Sequence, residues 1–350
     1  MSVLNSISTS SIDLLTAAID RLRSLSQIDH QAHWHCHWGD LPLTEALSPE
    51  QWQTWTIAPV NARNHVAWNK GAVVWLGQRL TIPTRAGGYS ISGLVVRLAV
   101  MWWAKQAEIF INGERVQEGD IFDCSTRLLL SSQAQPGAMF EVALRLVAPG
   151  HDEGALVHAY TVYEQPQTAA CPEPGFVADE LAVLQGYLTE FAPDRLLELT
   201  TAIASLAWAE VGDRTAFDQS LMAMRQQLAP LGNWVKQRQI KLLGHAHLDL
   251  AWLWTVDDTW EAAERTFASV LDLQQAFPEL IFCHSTPALY AWIERHRPAL
   301  FAQMQAAIAT GRWEVVAGLW IEPELNLVSG ESLVRQVLYG QRYVQEKFWT

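Results

Sequence analysis

The sequence predicts a multidomain protein: an antiparallel β sandwich, then a helical segment, then a series of βα units. Three observations indicate this order. Short β-rich runs fill residues 68–165, helical periodicity fills 176–236, and long helical patterns alternate with short strand patterns over 237–350. A chain of 350 residues is long enough for two or three domains with cores of their own.

Residues 1–67 are predicted to form an N-terminal helix followed by an extended segment. Apolar residues recur at helical spacing over 11–25, as in Leu15, Ile19 and Leu22. The extended segment contains His33, His35 and His37, which would share one face of a strand. Such a face can bind a metal, but no carboxylate pattern completes a ligand shell, so we favour no functional metal site there.

The sandwich prediction rests on six β-rich runs separated by turn residues. They cover residues 72–76, 93–103, 108–111, 127–130, 139–147 and 157–163. Asn112-Gly113 lies between two such runs and is a strong signal for a tight antiparallel hairpin. Strands at this spacing are typical of a β sandwich.

The last third of the chain alternates between strand and helix patterns. Strands are predicted over 240–244, 280–284 and 313–317, and helices over 259–277, 287–309 and 331–348. This alternation implies parallel βα units, whose ligands bind at the carboxyl ends of the strands.

Charge and composition exclude several classes of partner. A net charge of −13 argues against nucleic acid, because phosphate binding requires a basic surface. We expect no secretory signal at the N-terminus and no membrane span, since no run of eighteen apolar residues occurs. The four scattered cysteines fit a reducing compartment. We therefore predict a cytoplasmic protein, and a homo-oligomer stays open.

The sequence GHAHLD at residues 244–249 has the character of half a metal site. His247 and Asp249 carry ligand types that suit Zn²⁺, and they converge on one ion if the strand ends there and the chain turns. The alternative is that His247 is a hydrogen-bonded structural residue beside a strand end.

A series of motifs in fixed order follows this one. They occupy residues 252–254, 261–267, 285–290, 311–314, 320–324 and 329–336. The series resembles the N-terminal part of the α-mannosidases of glycoside hydrolase family 38, in their microbial and vacuolar branch. The resemblance implies that the βα units are the first three of a catalytic α/β barrel. It also implies a mannose-containing oligosaccharide as substrate and Zn²⁺ as cofactor.

The resemblance assigns roles to individual residues. It makes His247 and Asp249 two of the zinc ligands, with His245 as a supporting residue beside them. The zinc would hold vicinal hydroxyls of the mannose ring. Trp252 would lie under that ring as a platform, although an indole in the barrel wall is the alternative. His284, at the end of the second predicted strand, is expected to serve in packing.

Glu322 and Glu324 follow the third predicted strand, where an extended backbone would point both carboxylates the same way. Such a pair suits acid/base catalysis, but a salt bridge to Arg335 or Arg312 would use it equally well. Many relatives carry Asp at the position of Glu324, which weakens a catalytic role for it.

No catalytic residue is assigned within the chain. The resemblance places the nucleophile of a retaining mechanism beyond Thr350, so we expect an N-terminal fragment that is inactive by itself. One alternative is a metal-dependent amidohydrolase, which also opens with a His-x-His pair after the first barrel strand. Another is a non-catalytic sugar-binding remnant, in which the sandwich is the useful part.

Overall fold

The computed structural model describes residues 8–166, 171–316 and 318–349. The chain divides into two compact units, Met1–Gln237 and Arg238–Thr350. The first combines antiparallel sheets with helices, and the second combines a small parallel sheet with helices. The predicted multidomain architecture of sheets and helices is therefore present.

Thirteen strands lie in the described part of the first unit. They are β1 (Gln27–Asp29), β2 (His35–Trp38), β3 (Thr56–Ile57), β4 (Val66–Trp68), β5 (Val73–Thr81), β6 (Arg85–Ala86), β7 (Tyr89–Ser90), β8 (Val95–Trp103), β9 (Gln106–Ile111), β10 (Glu114–Gly119), β11 (Ser125–Ser131), β12 (Met139–Val147) and β13 (Gly154–Glu164). Each of the six predicted β-rich runs overlaps one of the longer strands.

Two antiparallel sheets form the body of this unit. One has the order β1-β13-β8-β11, with β4 also paired to β13, and the other has the order β10-β9-β12-β5-β2-β3. Leu98 and Val100 of β8 share a buried core with Leu76 of β5 and Leu144 of β12. Since these strands belong to different sheets, the core lies between the two sheets, as in a sandwich.

The predicted hairpin is confirmed. Strands β9 and β10 pair antiparallel with Ile111 opposite Glu114. Asn112 and Gly113 between them have φ values of 52° and 83°. Both central residues therefore take the left-handed conformation that a two-residue hairpin turn requires, which is why Asn-Gly is found there.

The extended segment before residue 67 also belongs to the sheets. Strand β2 pairs with β5, with Cys36 opposite Leu76, and β1 pairs with β13. The sequence predicted extended backbone here. It did not predict the strands that pair with this segment, because they lie far away in the chain.

Six helices accompany the sheets. They are α1 (Ser8–Ser24), α2 (Leu43–Ala46), α3 (Pro49–Trp52), α4 (Pro174–Phe191), α5 (Leu196–Ala204) and α6 (Arg214–Val235). Leu15 and Ile19 of α1 share a core cluster with Leu181 of α4 and Leu221 of α6. The predicted N-terminal helix and the helical segment therefore bury their apolar faces in one core.

The described part of the second unit contains three short strands and four α-helices, with one or two helices after each strand. They are β14 (Gly244–His245), α7 (Val256–Ala276), β15 (Phe282–His284), α8 (Pro287–His296), α9 (Pro298–Ala309), β16 (Trp313–Val315) and α10 (Gly330–Phe348). The strands pair in parallel in the order β14-β15-β16. The predicted parallel βα pattern is present over these residues.

Three details differ from the prediction. The first strand covers only two residues instead of 240–244. The helix predicted over 287–309 is broken at Arg297, because a proline follows and disfavours helical backbone at the preceding residue. The third strand ends at Val315, and no strand covers 320–324. The last residue of the predicted third strand, Ala317, lies outside the described residues.

Across the described ranges, we find no helix with the length and apolar character needed to cross a membrane.

Candidate metal site

His247 and Asp249 lie side by side just after β14. The Nε2 atom of His247 is 3.0 Å from Oδ1 of Asp249. Their side chains are 56% and 43% exposed, so both remain accessible from solvent. The strand ends at His245 and the chain then turns, which brings the two side chains together.

A buried threonine holds the loop that carries Asp249. The hydroxyl of Thr259 lies 3.3 Å from the carbonyl oxygen of Asp249 and accepts the backbone N–H of Ala251 at 3.1 Å. The indole N–H of Trp254 reaches both the Asp249 carbonyl oxygen and the Thr259 hydroxyl. Ala251 has a φ of 59°, a left-handed conformation that costs a non-glycine residue about 1 kcal/mol, and these hydrogen bonds help to maintain it.

Thr259 is itself placed by the start of helix α7. The Thr255 hydroxyl oxygen accepts the backbone N–H of Asp258, and the Asp258 carboxylate accepts the backbone N–H of Thr255, forming a capping box. The sequence prediction began this helix at residue 259 and missed the cap. The signal was present as Thr255-Val-Asp-Asp258, a threonine followed three residues later by an acidic residue.

His245 contacts the neighbouring strand β15. Its Nδ1 atom is 2.9 Å from the carbonyl oxygen of Cys283, and its ring stacks on His284 at 5.8 Å. His284 is buried against Phe267 and Tyr290. Burial lowers the pKa of His284 to about 3, with a further contribution from His245 and His247, so its ring is neutral at pH 7. These contacts agree with a packing role for His284.

Glu322 approaches the opposite side of the His247 ring. Its Oε2 atom lies 3.5 Å from Nδ1 of His247. Arg335 instead pairs with Glu331, at 2.8 Å, and Arg312 donates to the carbonyl oxygens of Gln274 and Phe277. The salt-bridge alternative for the two glutamates therefore has no support in the ion pairs of the described residues.

The backbone before Glu322 is fixed by helix α10. The Gln336 side chain accepts the N–H of Ile321 at 2.9 Å, and the Gln336 backbone carbonyl oxygen accepts the N–H of Trp320 at 2.9 Å. The sequence suggested extended backbone at this place. The structure shows an irregular segment, anchored to a helix, that brings Glu322 to His247.

Trp252 is 66% exposed, and its ring meets Trp254 edge-on at 5.3 Å. Its backbone N–H donates to the carbonyl oxygen of Trp254. Most of the indole surface is therefore free to contact a ligand.

Imidazole and carboxylate are donor types that zinc accepts, and the 3.0 Å between His247 Nε2 and Asp249 Oδ1 is a hydrogen-bond distance. Glu322 faces the other ring nitrogen of His247. Within residues 8–166, 171–316 and 318–349, no group of three or more His, Cys, Asp or Glu side chains is placed to hold a metal.

The three N-terminal histidines lie on and before β2 in the first unit. His33 precedes the strand with a φ of 71°, and the Nδ1 atom of His35 is buried without a hydrogen-bond partner. The ring of His37 lies 5.7 Å from that of Trp55. The contacts given for these three histidines therefore differ from one residue to the next.

The sequence of the second unit is similar to that of a known protein family. Residues 237–350 match the family described as "Glycosyl hydrolases family 38 N-terminal domain". The match begins one residue before the second unit does. The predicted resemblance to family 38 is therefore confirmed over these residues.

The similar proteins include three α-mannosidases. Alpha-mannosidase G of Dictyostelium discoideum is 31% identical over 138 residues, which cover 39% of this chain and 13% of that protein. Human alpha-mannosidase 2C1 is 36% identical over 112 residues, covering 32% and 11%. An alpha-mannosidase of Saccharomyces cerevisiae is 34% identical over 107 residues, covering 30% and 10%. The chain thus matches only a small part of each relative's length.

Proposed function

We propose that the second unit contributes part of the zinc and sugar site of a retaining α-mannosidase that hydrolyses terminal α-mannosides. The observation that supports this is the adjacent placement of His247 and Asp249 after β14, within the segment that matches family 38. The similar proteins are named as α-mannosidases, which supports the substrate class.

Three residues carry the proposal. His247, through Nε2, and the Asp249 carboxylate would hold Zn²⁺, and a bound ion would supply an anchor for vicinal hydroxyls of the mannose ring. Trp252 would offer the face of its indole to the same sugar, since it is exposed and only edge-on to Trp254. The family resemblance assigns these roles, and the geometry is compatible with them.

The carboxyl pair of a retaining mechanism is not assigned to residues of this chain. Such a pair lies about 5 Å apart, with one nucleophile and one acid/base. Asp249 and Glu322 both lie against His247, which favours metal-related roles for them. Because zinc sites normally use three or four protein ligands, we expect this chain by itself to bind zinc loosely and without turnover.

A zinc titration of the chain labelled with ¹⁵N-histidine tests the proposal. We expect the His247 ring signals to shift on adding Zn²⁺, and the response to be lost in Asp249→Ala. Methyl α-mannoside should strengthen zinc binding more than methyl α-glucoside does, because only mannose presents its 2- and 3-hydroxyls in cis. A His247 signal that stays unchanged up to millimolar Zn²⁺ contradicts the proposal.

The two alternatives give different results in the same experiment. An amidohydrolase site would use His245 as a ligand as well, through Nε2, since its Nδ1 atom faces the Cys283 carbonyl oxygen. In that case a cyclic amide, and not the mannoside, would strengthen zinc binding. For a sugar-binding sandwich, mannoside binding would survive Trp252→Ala and removal of zinc. The cytoplasmic location and a homo-oligomer stay predictions.

A further inference from the structure

A cleft of about 430 Å³ opens in the first unit, at the sheet edge where β2 pairs with β3. Two tryptophans, Trp38 and Trp55, line it together with the polar residues Glu45, Gln51 and Thr54. Trp38 is 48% exposed and also lines a neighbouring cleft of about 540 Å³. Because the two clefts share this exposed indole, a ligand of several rings can extend from one into the other.

The wall that carries the polar side chains is held firmly on the sheet. The indole N–H of Trp52 in α3 donates to the carbonyl oxygen of Ala46 in α2 at 2.8 Å. Trp52 packs so closely on β5 that a Cβ at Gly77 would lie 2.5 Å from its ring. The ring of Trp55 lies 5.7 Å from that of His37 on β2. The cleft is therefore formed before a ligand arrives, as is usual for small-molecule sites.

The polar side chains of the wall have bonding capacity left for a ligand. Glu45 and Gln51 are exposed, and no hydrogen bond or ion pair between described residues uses either side chain. The Thr54 hydroxyl donates to the carbonyl oxygen of Gln51 at 2.7 Å, and its oxygen can still accept. A carboxylate accepts, and a primary amide both donates and accepts. The wall thus offers donors and acceptors beside two indoles.

We propose that this cleft binds a neutral oligosaccharide. The C–H face of a sugar ring packs on an indole, and sugar hydroxyls both donate and accept hydrogen bonds, as this lining requires. No arginine or lysine of the described residues lines the cleft, and the Glu45 carboxylate would repel an anionic sugar. The inference goes beyond the proposed function and does not depend on it, because the cleft belongs to the first unit and requires no metal.

A proline-rich peptide is the other ligand that binds between aromatic side chains. Proline has no backbone N–H, so such a peptide would bring few donors to the Glu45 carboxylate and the Thr54 oxygen. The polar wall therefore favours the sugar.

The experiment follows the indole N–H signals of the whole chain labelled with ¹⁵N-tryptophan, in the presence of EDTA. The probes are mannotriose, maltotriose and cellotriose, with trigalacturonate as the anionic counterpart and decaproline as the peptide. We expect at least one neutral trisaccharide to shift the signals of Trp38 and Trp55 and to bind more tightly than trigalacturonate. Trp38→Ala should weaken this binding about 10-fold or more, because tryptophans often dominate the energy of a binding site.

Gln51 and Gln53 provide a matched pair for the polar wall. Both are exposed, but only Gln51 lines the cleft, since Gln53 follows α3 at its carboxyl end. Gln51→Ala should weaken binding about 2- to 10-fold through loss of a hydrogen bond. Gln53→Ala should stay within about twofold of the parent, as is usual for a surface substitution. This pair decides the case even if Trp38→Ala lowers the unfolding temperature.

The remaining outcomes would overturn the proposal. They are unchanged Trp38 and Trp55 signals with all three neutral trisaccharides, equal effects of Gln51→Ala and Gln53→Ala, and equal or tighter binding of trigalacturonate or decaproline. Loss of the Trp38 response in Trp252→Ala would place the sugar on the second unit instead. The proposed function is judged separately, by the His247 signals and zinc, so either claim can fail without the other.

Discussion

The first unit encloses most of its large apolar side chains, whereas the second leaves a larger share of them at the surface. In the first, strands of up to 11 residues form two sheets around a shared core. In the second, no described strand exceeds three residues. Ile240, Leu242 and Leu327 there are 80%, 87% and 83% exposed.

Helix α10 shows the same contrast within one element. Gly340 and Val344 are buried, while Val334, Val337 and Leu338 on the same helix are exposed. Parallel sheets are normally covered on both faces, so a three-stranded parallel sheet with exposed apolar neighbours gains less from burial than a closed sandwich. His247 and Asp249 therefore lie on the unit that gains less from burial of apolar surface.

The largest expected effect comes from the small core of the second unit. Phe267 is fully buried and touches His284, Tyr290 and Trp313. Phe267→Ala should destabilise this unit by about 3–5 kcal/mol through loss of buried area and a cavity.

Hydrogen exchange resolved by unit measures that effect. Protection should fall in residues 238–349 and persist in the first unit. Phe277→Ala is the control, because Phe277 ends the same helix and is 52% exposed. Equal loss of protection in both units would show that the two are not independently stable.

Low pH should reduce the folding stability of the first unit through protonation of His30. Burial lowers the pKa of His30 to about 4, with partial opposition from Asp29, while its unfolded value is 6.5. The unfolded chain therefore binds the proton first, and stability falls as the pH drops from about 6.5 to 4, by at most about 3 kcal/mol.

Denaturant unfolding between pH 7 and 4 checks this prediction. His30→Gln cannot titrate, and its amide can still bond to Thr161, the partner of His30 at 3.0 Å. The variant should lose most of the pH dependence in this range. An unchanged slope would assign the acid sensitivity to other groups.

Thr259→Val should loosen the loop that carries Asp249. The isosteric change removes the hydroxyl that serves Asp249, Ala251 and Trp254. We expect a local cost of about 1–3 kcal/mol, because buried polar groups lose their partner. The measurements are hydrogen exchange at the Ala251 amide, which should become faster, and zinc binding, which should become weaker. Intact exchange protection there would contradict the role given to Thr259.

The smallest expected effect compares two glycines of the first unit. Gly113 has a φ of 83°, so Gly113→Ala should cost about 1 kcal/mol even though no atom crowds the new Cβ. Gly186 lies exposed inside α4 with equally open surroundings, and Gly186→Ala should stabilise by about 0.5–1 kcal/mol. Thermal unfolding compares the two, and effects of the same sign would refute the conformational argument.

Local pattern alone predicted much of this protein. Alternation and turn residues located the sandwich strands, and Asn112-Gly113 specified its hairpin, because turn geometry depends on two adjacent residues. Strand–helix alternation predicted the parallel order of the second unit. The spacing of His247 and Asp249 predicted their proximity, since only one residue separates them.

Tertiary structure decided the surroundings of that pair. Glu322 reaches His247 across 75 positions of sequence, and His245 finds the Cys283 carbonyl oxygen 38 positions away. These contacts exist because β14, β15 and β16 pair in parallel and α10 anchors the segment before Glu322. Periodicity reports which face of an element is apolar, but it carries no information about which distant element will face it.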